Sequence, residues 1–304
     1  MLAFVFPGQG SQFAGMGRDL ADNFPVARQI FEEANDVLGF DIAALCFNGP
    51  EEDLRLTTNT QPAIVTVSVA ALRVVEQETG LRPDYAAGHS LGEFSALVSA
   101  GTLSFADAVR TVRQRGAFMQ EAVPVGVGAM AAMMGLEEGA IEGICAQAAQ
   151  GQVVSPANFN SPGQVVIAGH VEAVDRAIEL AKAAGAKRAL PLPVSAPFHC
   201  ALMEPAGRRL AEVLDGIAFA PMNLPVVSNV EARPNQDSAR LKELLVRQVS
   251  APVRWDESVV CMAELGVDRF VEIGPGKVLS GLIKRIVKGA GAQNVEDVAS
   301  LKKL

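Results

Sequence analysis

The sequence predicts an α/β fold, with a mainly parallel sheet and a smaller unit inserted into it. Three observations carry this reading. Short apolar runs alternate with longer helical patterns along most of the 304 residues. The stretch 124–194 departs from that rhythm with the order β-α-β-β-α-β. A G-x-S-x-G turn falls where a strand gives way to a helix.

Taken in order, Leu2–Phe6 is a buried-strand run that ends in the turn Pro7-Gly8-Gln9-Gly10. Pro62–Gln77 is apolar at helical spacing. Asp84–Gly88 reads as a short strand and Leu91–Ala100 as the helix after it. Ser104–Ala122 is a further helix, opened by Ser104 as N-cap with Asp107 in its first turn. Next come a strand at Val127–Met134, a helix at Glu137–Ala149, strands at Val153–Ala157 and Gln164–Ala168, a helix at Val171–Ala184 and a strand at Arg188–Leu192. That order is the ferredoxin-like split unit. Pro124-Val125-Gly126 and Pro191-Leu192-Pro193 flank it as hinges. Residues 1–123 and 195–304 are therefore expected to form one domain, with 124–194 inserted. Beyond the insert, Ala201–Leu214 is helical, Leu224–Asn229 and Arg269–Ile273 are strands, and Val278–Val287 is a helix.

Apolar residues make up 49% and charged residues 20%, which excludes a disordered chain. At this length, roughly three-quarters of the unfolded surface can be buried. The balance of 26 Lys and Arg against 34 Asp and Glu, a net −8, argues against nucleic acid as the main partner. The start MLAFVFPGQG lacks a basic leader and meets Pro7 early, so it reads as neither signal peptide nor membrane span. Cys46, Cys145, Cys200 and Cys261 show no paired or metal-ligand spacing. They read as free thiols in a reducing cytoplasm.

Gly88-His89-Ser90-Leu91-Gly92 supplies the G-x-S-x-G. A sharp strand-to-helix turn crowds its neighbours, so glycine is needed two residues either side of the serine. The turn presents the Ser90 hydroxyl at a helix N-terminus, where backbone N–H groups favour a developing oxyanion. A serine needs a base, and the chain holds three histidines. His89 adjoins the nucleophile and leaves the turn in another direction. His170 ends a strand of the insert and reads as a loop or capping residue. His199, in Ser195-Ala196-Pro197-Phe198-His199-Cys200, is the remaining candidate, with a helix-cap role as its plainer alternative. No Asp stands in a convincing motif for a third member. A backbone carbonyl holds an imidazole tautomer as well as a carboxylate does, so a dyad is expected. The glycine-flanked turn after Leu2–Phe6 suits a second oxyanion donor. It lacks the third glycine of a dinucleotide fingerprint, and Gly274-Pro275-Gly276-Lys277 fails as a phosphate loop.

Six segments together resemble the malonyl-CoA:acyl-carrier-protein transacylases: GQGSQ, GHSLGE, RQRG with FMQEAVP, PFHC, RQVSAPVRW and EIGPGKVL, in the family's order. The resemblance spans essentially the whole chain. It implies an α/β-hydrolase-like large domain with a ferredoxin-like insert, and malonyl transfer in fatty acid synthesis. It implies Ser90 as the malonylated nucleophile, His199 as its general base and acid, and Gln248 as the residue that orients the histidine. The backbone N–H groups of Gln9 and Leu91 would form the oxyanion hole. Arg115 would pair with the free malonyl carboxylate, as a planar guanidinium offering two parallel hydrogen bonds suits. Phe198 matches the pattern that accompanies malonyl over methylmalonyl selectivity. Malonyl-CoA and acyl carrier protein are the implied partners, with no metal and no cofactor, and a monomer is expected. Lys187, Arg188, Lys284 and Arg285 are the candidate docking cations for an acidic carrier. Without the resemblance, two rivals stay open on the residues alone: a serine esterase or thioesterase, and a non-catalytic carrier-binding module.

Overall fold

The computed structural model of the chain describes residues 1–194 and 196–304. Ser195, where the second segment of the larger domain is expected to begin, lies outside the described residues. Two sheets organise the rest. The first has six strands in the order β11-β10-β1-β2-β7-β8. They are β1 (Leu2–Phe6), β2 (Tyr85–Gly88), β7 (Val226–Val227), β8 (Pro234–Asn235), β10 (Arg269–Ile273) and β11 (Gly291–Val295). All neighbours pair in parallel except β7 with β8. The central strand β1 is LAFVF, buried along its whole length, as a strand covered on both faces must be. Phe4 and Phe6 face one core, while Ala3 and Val5 face another that holds Trp255 and Ile283.

The second sheet has the order β6-β3-β5-β4-β9. Its strands are β3 (Gly128–Met134), β4 (Val154–Ser161), β5 (Gln164–His170), β6 (Arg188–Pro191) and β9 (Val253–Arg254). The first four pair antiparallel. The helices Glu138–Ala149 and Val171–Ala183 cover one face through a separate core of Ile141, Val165, Ile167 and Val174. The order expected for 127–192 is the order observed. The strand β9 comes from the far end of the chain and lies parallel to β4.

Three expectations need correction. Leu224–Asn229 yields only the two-residue β7, because beyond it Ser228 donates to the Arg233 carbonyl and Asn229 to the Glu93 carboxylate. The strand expected at Val153–Ala157 runs on to Ser161 through two register shifts, which polar Asn158 and Asn160 conceal in the sequence. The helix expected at Pro62–Gln77 begins earlier and spans Thr57–Thr79, with Pro62 in its interior. That helix is almost wholly buried and carries Gln61 towards the site described next.

Candidate active site

The carboxyl ends of β1 and β2 lie side by side, and the turn after β2 holds Ser90 at φ 51, a left-handed conformation that strains a side-chain-bearing residue. The turn closes only around glycine. A Cβ on Gly88 would stand 1.9 Å from the Gly92 carbonyl carbon, and one on Gly92 would stand 2.2 Å from the Phe6 oxygen. Both contacts are with backbone, which has no slack to yield. Gly92→Ala is therefore expected to destabilise the chain by more than ~4 kcal/mol, measured by urea denaturation. A midpoint matching that of the parent would show that the turn relaxes. Both peptide groups of Ser90 are held in place. Its N–H donates to Asn229 Oδ1 at 2.7 Å, and its carbonyl accepts from Gln248 Nε2 at 2.9 Å.

His199, itself at φ 60, reaches Ser90 from the segment that precedes the short helix Ala201–Met203. Its Nε2 lies 2.7 Å from Ser90 Oγ, and its Nδ1 lies 2.8 Å from the Gln248 carbonyl oxygen. A carbonyl oxygen only accepts, so Nδ1 carries the proton and Nε2 is left as the acceptor for the serine hydroxyl. Burial, then the Arg115 charge, push the imidazole down to about 3, against the pull of the Gln248 carbonyl. The ring is thus neutral at physiological pH. Gln248 touches the histidine through its main chain, not its side chain. The other histidines are engaged elsewhere. His89 Nε2 meets Asn160 Oδ1 at 2.8 Å with its ring beside Trp255, and His170 Nδ1 accepts from the Val153 N–H.

Arg115 projects from the middle of the Phe105–Ala122 helix and is 2% exposed. Nη1 donates to Gln61 Oε1 at 2.7 Å; Nη2 donates to Gln248 Oε1 at 2.9 Å and to Ser90 Oγ at 3.2 Å. Its Nε–H has no partner among the described residues. Burial lowers the guanidinium to about 10, opposed by Glu93, so it remains a cation near neutrality. A solvated face for this arginine is excluded by its burial. The amide of Gln248 is fixed by what surrounds it: its oxygen faces a donor-only guanidinium, and its nitrogen faces the Ser90 carbonyl and Glu93 Oε2.

Sequence reasoning missed Gln61, Glu93 and Asn229. A signal existed for Glu93, the one charge in the mainly apolar run from Leu91 to Val98. Gln61 and Asn229 stand in no motif, and their partners are far away in sequence.

These groups open onto a cavity of about 420 Å³. Gln9 and Leu91 line it beside Ser90, the first after β1 and the second at the N-terminus of the Gly92–Ser99 helix. Phe198, 8% exposed, and Met119 form part of its apolar wall, and Asn158, Asn160 and Gln164 face it from the second sheet. Lys187, Arg188, Lys284 and Arg285 are all exposed and stand outside the cavity wall. They are nevertheless tied to it. The Lys187 N–H donates to the carbonyl of Met134, and Arg285 Nη1 donates to Gln164 Oε1 at 3.0 Å; both acceptors belong to cavity-lining residues.

Comparison with known proteins agrees over the full length. Residues 3–304 match the acyl transferase domain family. The malonyl CoA-acyl carrier protein transacylase of Escherichia coli strain K12 is 55% identical over 299 residues, covering 98% of this chain and 97% of the relative. The crystal structure of an acyl carrier protein S-malonyltransferase from Vibrio cholerae superposes with a TM-score of 0.97 at 55% identity, covering 99% of each chain. A structure of the malonyl-transacylase PlMCAT in complex with the type II PKS acyl-carrier protein AntF also gives 0.97, at 56% identity, covering 99% of this chain and 98% of that one. No helix among the described residues is long and apolar enough to cross a membrane. By its motifs, its fold and these matches, the chain belongs to the acyl transferase domain family, among the malonyl CoA-acyl carrier protein transacylases.

Proposed function

We propose that the protein moves a malonyl group from malonyl-CoA to the phosphopantetheine thiol of an acyl carrier protein, through a malonyl ester on Ser90, for fatty acid synthesis. The observation that carries this is the convergence on one hydroxyl. Ser90 Oγ lies 2.7 Å from a neutral imidazole nitrogen and 3.2 Å from a buried guanidinium. A base activates the nucleophile and a cation waits for an anionic acyl group. Intact mass spectrometry after mixing with malonyl-CoA tests it. A malonyl adduct that leaves on adding holo-carrier protein is the expected result. Release of free CoA with no adduct would replace transfer with hydrolysis.

In the first half-reaction His199 Nε2 takes the Ser90 proton as Oγ attacks the thioester carbonyl. The Gln248 carbonyl stabilises the imidazolium and holds its tautomer. The oxyanion is received by the N–H groups of Gln9 and Leu91, at a helix N-terminus where the dipole favours negative charge. Coenzyme A leaves with the proton from His199. In the second half the carrier thiol attacks the ester, and the proton returns to Ser90 by the same route. Arg115 keeps one N–H on Nη1 beyond that given to Gln61, and the Nη2–H now on Ser90 Oγ can pass to the substrate, which suits a bidentate hold on the malonyl carboxylate. Phe198 narrows the wall beside His199, which favours malonyl over its α-methyl analogue. The apolar wall and the amides of Asn158 and Gln164 suit a pantetheine arm.

The strand orders support the finer reading of the fold: an α/β-hydrolase-like domain of residues 1–123 and 195–304 and a ferredoxin-like insert at 124–194. Every group named in the mechanism comes from one chain, which fits a monomer. Lys187, Arg188, Lys284 and Arg285 are the proposed docking cations for an acidic carrier. Reversing all four charges is expected to raise the carrier KM roughly tenfold and to spare malonyl-CoA loading. Steady-state kinetics with varied carrier check this, and unchanged carrier kinetics remove the assignment.

A further inference from the structure

Glu93 lies three residues after Ser90, buried to 2% exposure, and no step of the proposed reaction uses it. Its Oε2 accepts from Gln248 Nε2 at 2.9 Å and from the Asn229 N–H at 3.1 Å. The same Gln248 amide, through Oε1, accepts from Arg115 at 2.9 Å. One amide therefore stands between a buried carboxylate and a buried guanidinium. The direct hydrogen-bond partners of Arg115 among the described residues, Gln61, Ser90 and Gln248, are all neutral. Of the charges acting on Arg115, Glu93 favours its cationic form, and Arg115 in turn favours the Glu93 anion.

The proposed substrate brings a second carboxylate to this guanidinium. One cation and two anions at a buried guanidinium leave an uncompensated charge, which is costly away from bulk water. We propose that Glu93 is the resident counter-charge of Arg115, an anion in the empty site that takes up a proton from solvent when the malonyl carboxylate docks on the guanidinium. This rests on the reading above that the acyl group is anionic. Burial already lifts the Glu93 carboxyl to about 7, opposed by its bonds from Gln248 and Asn229 and by Arg115, so a further anion nearby tips it to the neutral form. Glu93 faces Arg115 from the Phe105–Ala122 helix, the Gln248 amide from the Leu241–Ser250 helix, and Asn229 from the segment after β7. The other titratable side chains of the cavity beside Ser90 are His199 and His89. Burial pushes both imidazoles down, His199 to about 3, so neither takes a proton near neutrality.

The test is calorimetry of malonyl-CoA binding to the Ser90→Ala protein at about pH 8, in buffers of different ionisation enthalpy. Net uptake approaching one proton per site is expected. Acetyl-CoA carries the same nucleotide and reports protons taken or lost by that part alone, and it should show no such uptake. Adding Glu93→Gln should abolish the uptake and tighten malonyl-CoA binding several-fold at about pH 8, because the variant no longer has to take up a proton to bind. A residue that only fills space would weaken binding or leave it unchanged. Where Glu93→Gln fails to fold, the Ser90→Ala measurement decides by itself. Loading of Ser90 by malonyl-CoA in the parent protein, with no proton uptake on binding, overturns the role of Glu93 and leaves the substrate reading intact. No loading and no binding removes the substrate reading, and this inference with it.

Discussion

Ser90→Ala is expected to abolish the acyl-enzyme and to lower turnover by on the order of 10⁴-fold or more. The size follows from the geometry. His199 Nε2 lies 2.7 Å from the Ser90 hydroxyl, and the imidazole is set to accept from it: neutral, protonated on Nδ1 and pinned by the Gln248 carbonyl. Removing one oxygen leaves the base without a substrate proton and the thioester without a nucleophile. The cavity and the buried Arg115 remain, so malonyl-CoA is expected still to bind. Intact mass and single-turnover CoA release make the measurement. A stable malonyl adduct on the Ser90→Ala protein would place the nucleophile elsewhere.

Arg115→Ala is expected to cost malonyl loading about 2–5 kcal/mol, from roughly 30-fold to a few thousandfold, while acetyl loading changes by less than about tenfold. The guanidinium is the cation that lies against Ser90 Oγ, and its burial makes it effective because water does not compete for it. A carboxylate taken into that pocket without it loses its hydration and gains nothing in return. Competition between malonyl-CoA and acetyl-CoA, read as the ratio of the two adduct masses, gives the selectivity directly. Equal losses for both acyl groups would mean that Arg115 only supports the turn around Ser90. Lysine restores a charge but not the fork, so Arg115→Lys should recover only part of the ratio.

The parts of this site that could be read from the chain are those that repeat a local geometric demand. Gly88 and Gly92 announce the turn because no Cβ fits at either place, and that demand is written within five residues. The strand Leu2–Phe6 stands at the expected bounds because a central parallel strand is buried on both faces and shows as an unbroken apolar run; Arg269–Ile273 also stands at its expected bounds, though only Phe270, Val271 and Ile273 are apolar. What escaped is of two kinds. The edge strand Gly291–Val295 and the two-residue β8 and β9 have no apolar run to show. Gln61 and Asn229 carry no local signature, and Glu93 only its lone charge, because their meaning lies in partners brought together by folding. Glu93 meets residues 136 and 155 positions away. A polar residue in an apolar helix signals a buried partner, but not which one. Knowing the family supplied Arg115, whose position on a helix reads by itself as an ordinary charged face.

The parallel pairing of β9 with β4 has a consequence for anyone who would exchange parts between relatives. Cut at residues 124 and 194, the inserted unit leaves behind the strand that closes one side of its own sheet. It also leaves His89, the hydrogen-bond partner of Asn160. A recipient with different residues at 253 and 254 would meet the exposed backbone of β4 with a mismatched edge. The unit of exchange is therefore discontinuous in the chain: a cassette that is to keep its shape must travel with a two-residue passenger encoded about sixty positions downstream.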